Sequence, residues 1–188
     1  LVPKGIDLEA YHPIDGVVEK LSGEPSVLYY ENIRGARNPL YLCLAMQEVH
    51  KKYPKARLHI YNVTEQRTMD TFKKLYDNCK WWPFLRSIQG RTDNVNKLLN
   101  QVDIVVSALD PLYARSIEAF GAGKAFIGPG YKEHDYPFQC QHSPESMAAA
   151  IINCWENYQK IDYRNWAVRF HNVNETVKQS IDIYRRFL

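Results

Sequence analysis

A doubly wound α/β domain, with a parallel sheet covered by helices on both faces, is the fold class this sequence predicts. Short apolar runs alternate with stretches of helical periodicity about ten to fifteen residues long, the signature of βαβ units. The apolar runs are nearly continuous instead of alternating, as strands buried on both faces require. At 188 residues, 45% of them hydrophobic, the chain is most simply one domain with a sizeable core of its own.

Taken in order, SVLYYE (26–31) reads as the first strand and the segment 38–53 as a helix, with Asn38 as N-cap and Pro39 in its first turn. ARLHIYNV (56–63) is the second strand, and 65–78 a polar-faced helix. LRSIQG (85–90) is the third strand, followed by a short helix, TDNVNKLLNQ, capped by Thr92 or Asp93. DIVVSA (103–108) and KAFIGP (124–129) are the fourth and fifth strands, joined by the helix that carries Asp110 and Glu118. Ser143 with Pro144 announces a helix over 143–159, and two more helical stretches cover 162–171 and 173–187. WWPF at 81–84 is a loop whose aromatics suit packing.

A formal charge of +3, with no run of Lys or Arg, argues against a nucleic-acid partner. The four cysteines (Cys43, Cys79, Cys140, Cys154) show neither CxxC pairing nor metal spacing and read as free thiols of a reducing compartment. None of the six histidines shows metal spacing either. No apolar run approaches the ~20 residues that span a bilayer, and no signal-peptide pattern is present. The opening LVPKGID, without Met, reads as a piece cut from something longer.

Sheets of this class bind ligands beyond the carboxyl ends of their strands. That directs attention to the loops 31–38, 63–65, 90–92, 107–112 and 128–136. In the fourth, Asp110 and Glu118 lie eight positions apart, ~12 Å along a helix that starts at Pro111. Between them falls a helix N-terminus with free N–H groups and about half a positive charge, a natural seat for a diphosphate. A sugar could then meet Asp110 and a ribose Glu118. By spacing alone the pair reads first as an N-cap and a solvated helix residue. Gly121 and Gly123 end the helix and admit the return to strand five.

These residues carry a resemblance. Asp110-Pro-Leu-Tyr-Ala-Arg-Ser-Ile-Glu118, followed by AFGAGKAFI, resembles the paired acids and the EAxAxGxPVI-like run of GT-B retaining glycosyltransferases of family 4 (group 1). VDIVVSA is similar to the family's aDvfvxPS strand, and LVPKGIDLEAYHP to its VxPNGVDxxxFxP linker. VLYYENIRGARNPLYLCLAM resembles its first strand, phosphate loop and helix, and IQGRTDNVNKLLNQVD its fxGxv…lxxxyxxaD segment. Gly130-Tyr131-Lys132-Glu133 stands where the family has GGxPE. The likeness runs in order from residue 1 to about 160 and identifies the chain with the family's Rossmann-like C-terminal half.

The resemblance implies a division into a linker and lead-in (1–24), a donor-binding domain (25–160) and C-terminal helices (161–188) that pack back toward an N-terminal domain preceding Leu1. It implies a nucleoside diphosphate sugar as donor substrate, no cofactor and no metal. The expected reaction is transfer of a hexose-like sugar to an acceptor hydroxyl with retention, in polysaccharide or glycoconjugate synthesis. The acceptor, saccharide or lipid-linked, would be held by the N-terminal domain, so this piece alone should be inactive. The expected location is cytoplasmic, with peripheral attachment of the full-length protein to the inner face of a membrane left open.

Residue by residue, Glu118 would hold the donor's ribose hydroxyls, and Asp110 would orient the donor sugar, one methylene shorter than the usual Glu. The family's basic pair in the phosphate loop falls on Asn32 and Arg37, with Arg34 close enough to substitute for the lost Arg. Arg37 would grip and neutralise the departing diphosphate. Pro111 removes a backbone donor, so the amides of Leu112 and Tyr113 would take more of the phosphate. Gly90 and Arg91 fall near the seat of the base, and Glu133 and His134 face the same crevice. The altered phosphate loop also admits a second reading, a degenerate, non-catalytic scaffold with the same fold. A phosphorylase of this architecture is a third.

Overall fold

The computed structural model describes residues 4–31, 39–61, 70, 83–108, 113–130 and 135–186. Five strands, β1 (Ser26–Tyr29), β2 (Arg57–Ile60), β3 (Leu85–Ile88), β4 (Ile104–Val106) and β5 (Ala125–Ile127), form one sheet in the order β3-β2-β1-β4-β5. Every pairing is parallel, as the continuous apolar runs require. β1 lies at the centre, with Val27 opposite Leu58 of β2 on one side and Ile104 of β4 on the other. Its residues Val27, Leu28 and Tyr29 have no solvent exposure.

The helices among the described residues are α1 (Leu40–Lys52), α2 (Val95–Asn100), α3 (Tyr113–Gly121), α4 (Pro144–Asn157), α5 (Tyr163–His171) and α6 (Val173–Arg185). From β1 the chain steps one way along the sheet to β2, and from β4 the other way to β5. Right-handed crossovers in opposite directions place α1 and α3 on opposite faces. α1 packs against α4, and α3 against α5. Phe120 of α3 anchors the second pair, its ring 5.2 Å from Tyr136 and 6.4 Å from each of Phe126, Tyr163 and Trp166. Tyr136 also closes part of the β5 edge, where its hydroxyl accepts from Phe126 N at 3.1 Å.

At the amino edge of the sheet Asp103 locks β1 to β4. Its Oδ2 accepts from Ser26 N at 2.9 Å and from Ser26 Oγ at 2.8 Å, while its own amide donates back to Ser26 Oγ at 3.0 Å. The lead-in is fastened at the other end of the chain. Ile6 N donates to His171 O at 2.7 Å, Val173 N to Ile6 O at 3.2 Å, and Ile6 pairs with Asn172 in a parallel bridge.

Some local expectations need correction. α1 begins at Leu40 with Pro39 at the cap position and no side-chain cap bond, one residue later than the sequence reading, and Asn38 lies outside the described residues. α2 is capped by Asn94, not by Thr92 or Asp93. Asn94 Oδ1 accepts from Lys97 N at 2.9 Å, and Thr92 Oγ1 instead accepts from Asn94 N at 3.3 Å. The segment 65–78 lies outside the described residues except at Asp70. Ser143 caps α4 as expected, accepting from Ser146 N at 3.1 Å.

Phe84 of the aromatic loop is buried, and Cys43, Cys140 and Cys154 are buried and form no disulfide among the described residues. Cys79 lies outside the described residues. α6 buries none of its side chains and leaves Val177, Ile181 and Tyr184 exposed. No helix among the described residues is long and apolar enough to cross a membrane, and they contain no cluster of metal-ligating side chains.

Candidate functional site

The strand order reverses at β1, so the carboxyl ends of β1 and β4 flank the switch point where a sheet of this kind opens a crevice. Tyr30 and Glu31 leave the end of β1 as buried residues. Ser107 leaves the end of β4, buried and bonded through its amide to Ile127 O at 2.9 Å. Helix α3 follows β4, and its apolar face (Ile117, Ala119, Phe120) packs inward and fixes the rotation of the helix. That rotation leaves Glu118 at the border of the buried face.

Glu118 is turned toward the end of β1. Its Oε2 accepts from the Tyr30 hydroxyl at 2.6 Å and from Arg115 Nη1 at 2.7 Å. Arg115, one helical turn earlier, also lays its guanidinium over the Tyr30 ring, 4.4 Å from the centroid. The Glu118 side chain is only 14% exposed, so its charge is partly desolvated and its two donors act at low dielectric. Burial, and then the Glu118 charge, push the Tyr30 hydroxyl well above its ordinary value, so Tyr30 is a neutral donor. The Tyr11 hydroxyl of the lead-in is raised for the same two reasons in the same order. Three side chains from three parts of the chain thus meet around one carboxylate.

The other expected site residues divide by position. Tyr113 opens α3, so its amide is among the first four of the helix, which have no partner within it. Gly90 and Arg91 follow the carboxyl end of β3, at the same edge of the sheet but two strands from β1, about 10 Å across the ladder. Asn32, Arg34, Arg37, Asp110, Leu112, Glu133 and His134 lie outside the described residues. The described part of the helix starts at Tyr113, so the relation of Asp110 and Pro111 to its tip lies outside them too.

Sequence reasoning missed Tyr30, Arg115 and Tyr11. Arg115 carried a readable signal, since it stands three residues before Glu118 on one helix, the spacing of an ion pair. Tyr30 carried none. In the sequence it belongs to an apolar run and looks like core.

The α/β sheet of this order, with a carboxylate presented at its switch point, is a Rossmann-like domain. Its fold is that of the C-terminal half of GT-B glycosyltransferases. The chain superposes on a glycosyltransferase from Rickettsia africae with a TM-score of 0.80 at 17% identity, over 98% of this chain and 56% of that one. It matches the C-terminal domain of a group 1 family glycosyl transferase from Francisella tularensis with a TM-score of 0.70 at 16% identity, over 90% of this chain and 100% of that domain. A third likeness is Anabaena HepE in complex with UDP and glucose, at a TM-score of 0.71 and 15% identity, over 96% of this chain and 55% of that one. The chain therefore spans a little over half the length of the Rickettsia and Anabaena proteins. Its sequence matches no family model and no curated protein.

Proposed function

We propose that the chain is the donor-binding domain of a retaining glycosyltransferase that moves a sugar from a nucleoside diphosphate to an acceptor hydroxyl. The observation that carries this reading is Glu118, a partly desolvated carboxylate held at the end of β1 in a fold of GT-B C-terminal type. A carboxylate there suits a ribose, to whose hydroxyls it can make charge-assisted bonds of roughly 1.5–3 kcal/mol each. The diphosphate lies against the amide of Tyr113 at the start of α3 and that of Leu112, which precedes it in sequence, and Arg34 and Arg37 neutralise it as it departs. Asp110 orients the sugar, and Gly90 and Arg91 border the base. The donor is a substrate, and the reaction in this reading uses neither cofactor nor metal.

Anabaena HepE, one of the structural neighbours, has been solved in complex with UDP and with UDP-glucose, which favours a nucleotide-sugar donor here. The acceptor, saccharide or lipid-linked, is bound by a part of the protein other than this domain. A cytoplasmic setting goes with this reading, at the inner face of a membrane when the acceptor is lipid-linked.

Calorimetric titration with UDP, GDP and ADP tests the proposal. One of the three should bind, and Glu118→Ala should abolish the heat. The competing reading, a non-catalytic scaffold, draws on Asn32 in place of the family's Arg and on the shortened Asp110 beside Pro111. It predicts that the intact protein binds none of them.

A further inference from the structure

The amino edge of the sheet, opposite the donor crevice, holds a second group of charges. The register that pairs Ile104 with Ala125 sets Asp103 and Lys124 side by side, one residue ahead of β4 and β5. Asp103 commits Oδ2 to Ser26 N and Ser26 Oγ, and its Oδ1 lies 3.6 Å from Lys20 Nζ. Lys124 feels the same carboxylate, and the Lys20 ammonium acts on it directly. Two ammoniums therefore share one acid that is already bonded to Ser26.

Both lysines line a cavity of about 370 Å³. Asn100 ties the lead-in to it, its Oδ1 accepting from Ile14 N at 3.0 Å and its Nδ2 donating to His12 O at 3.0 Å. Ile14, Val18 and Ala122 give the cavity an apolar wall, while the Lys20 side chain stays 52% exposed. Burial first, then the charge and donors of Lys20, push the Lys124 ammonium down to about 8, with Asp103 opposing. About a quarter of Lys124 is then free amine at pH 7.5, against roughly 0.1% of an ordinary lysine. A neutral amine beside a cation, in a cavity with an apolar wall, is arranged to attack an electrophile that carries its own negative charge.

We infer that Lys124 is an acylation site for small acyl phosphates, with Lys20 holding the phosphate group and the apolar wall the acyl chain. The Lys124 Nζ lone pair attacks the carbonyl carbon, and the N–C bond forms as the C–O bond to phosphate breaks. The departing phosphate takes the proton that the nitrogen loses and leaves as inorganic phosphate. The product is a neutral amide, which ends the repulsion between the two lysines. Glu118 plays no part in this step, so the inference stands apart from the donor-binding reading.

Acetyl phosphate, incubated with the intact protein at pH 7.5 and followed by peptide mass spectrometry, tests the inference. Lys124 should be acetylated about ten-fold faster than the exposed Lys51, Lys55 and Lys178. Inorganic phosphate should slow Lys124 by about three-fold and leave those three unchanged. Lys20→Gln, at a half-exposed position, removes the phosphate contact and the charge together. A neutral reagent without phosphate, N-hydroxysuccinimidyl acetate, separates the two effects. The variant should slow acetyl phosphate at Lys124 by about ten-fold and the neutral ester by about three-fold or less. Lys124 reacting no faster than the three exposed lysines would overturn the inference. So would equal slowing of the two reagents in the variant, or a Lys124 rate that inorganic phosphate leaves untouched.

Discussion

Arg164 of α5 closes the carboxyl end of α3, its Nη1 donating to the Gly121 carbonyl at 2.6 Å. The same nitrogen donates to Tyr11 O at 2.5 Å, and Nη2 donates to Leu8 O at 2.9 Å. The last carbonyls of a helix have no partner within it, and a cation there is favoured by the helix dipole as well. One guanidinium therefore ties the helix that carries Glu118 to the lead-in that carries Tyr11. Arg164→Ala should lower stability by about 2–3 kcal/mol, since carbonyls half-shielded from water lose charge-assisted donors. A urea unfolding midpoint unchanged from wild type would show that water replaces the guanidinium at no cost.

The lead-in depends equally on a missing side chain. A Cβ built on Gly5 would stand 2.5 Å from the Cα of Val173, and that atom belongs to backbone, which cannot rotate aside. Gly5→Ala should therefore cost about 1–3 kcal/mol and loosen the bridge between Ile6 and Asn172. Faster amide exchange at Ile6 and Val173, whose N–H groups make that bridge, is the specific readout. Exchange as slow as in the wild type would mean that the lead-in seats without this close approach.

How much of this was legible depends on what each signal reports. The apolar runs VLY and IVV marked β1 and β4 correctly because such strands are buried on both faces. The same runs overstated strand length. Tyr30 and Glu31 were read into the first strand, yet they lie past its end, since hydrophobic patterning reports burial and not ladder pairing. The α2 cap was missed because Thr92, Asp93 and Asn94 are all capable acceptors, and only backbone geometry selects among them. Glu118 was singled out by its distance from Asp110. Its bond to Tyr30 was not, because the two lie 88 residues apart and no local period links them.

His59 should set part of the pH dependence of stability. Its ring is buried in β2, with Nε2 2.8 Å from Ser22 O and Nδ1 2.8 Å from Ser87 Oγ. A carbonyl accepts only, so Nε2 carries the proton and the neutral ring accepts from Ser87 at Nδ1. Burial first, opposed by the Ser22 bond and aided by the nearby Arg86 charge, lowers its pKa below the ordinary 6.5. The folded state therefore binds fewer protons than the unfolded state just below that pH. Stability is full above about 6.5 and falls as pH drops through the depressed folded value. Unfolding midpoints measured at about pH 7.5 and 5.5 should differ less in His59→Gln than in the wild type. An equal difference in both would assign the acid sensitivity to other groups.

Glu118→Gln separates the carboxylate's charge from its shape. The amide keeps the volume and still offers an oxygen to the Tyr30 hydroxyl, but it ends the ion pair with Arg115. The pair is partly buried, so its loss should cost on the order of 1 kcal/mol in stability, and the protein should remain folded. Nucleotide binding should suffer more. A charged acceptor worth roughly 1.5–3 kcal/mol to a ribose hydroxyl becomes a neutral one, and affinity should fall by about ten-fold or more. Inorganic pyrophosphate provides the control, because in the proposed reading it takes the place of the donor's diphosphate and has no ribose for Glu118 to reach. Its affinity should hold or rise slightly as a nearby negative charge is removed. Parallel weakening of both ligands would place the damage in the fold of α3, and nucleotide binding within two-fold of wild type would take Glu118 out of the site altogether.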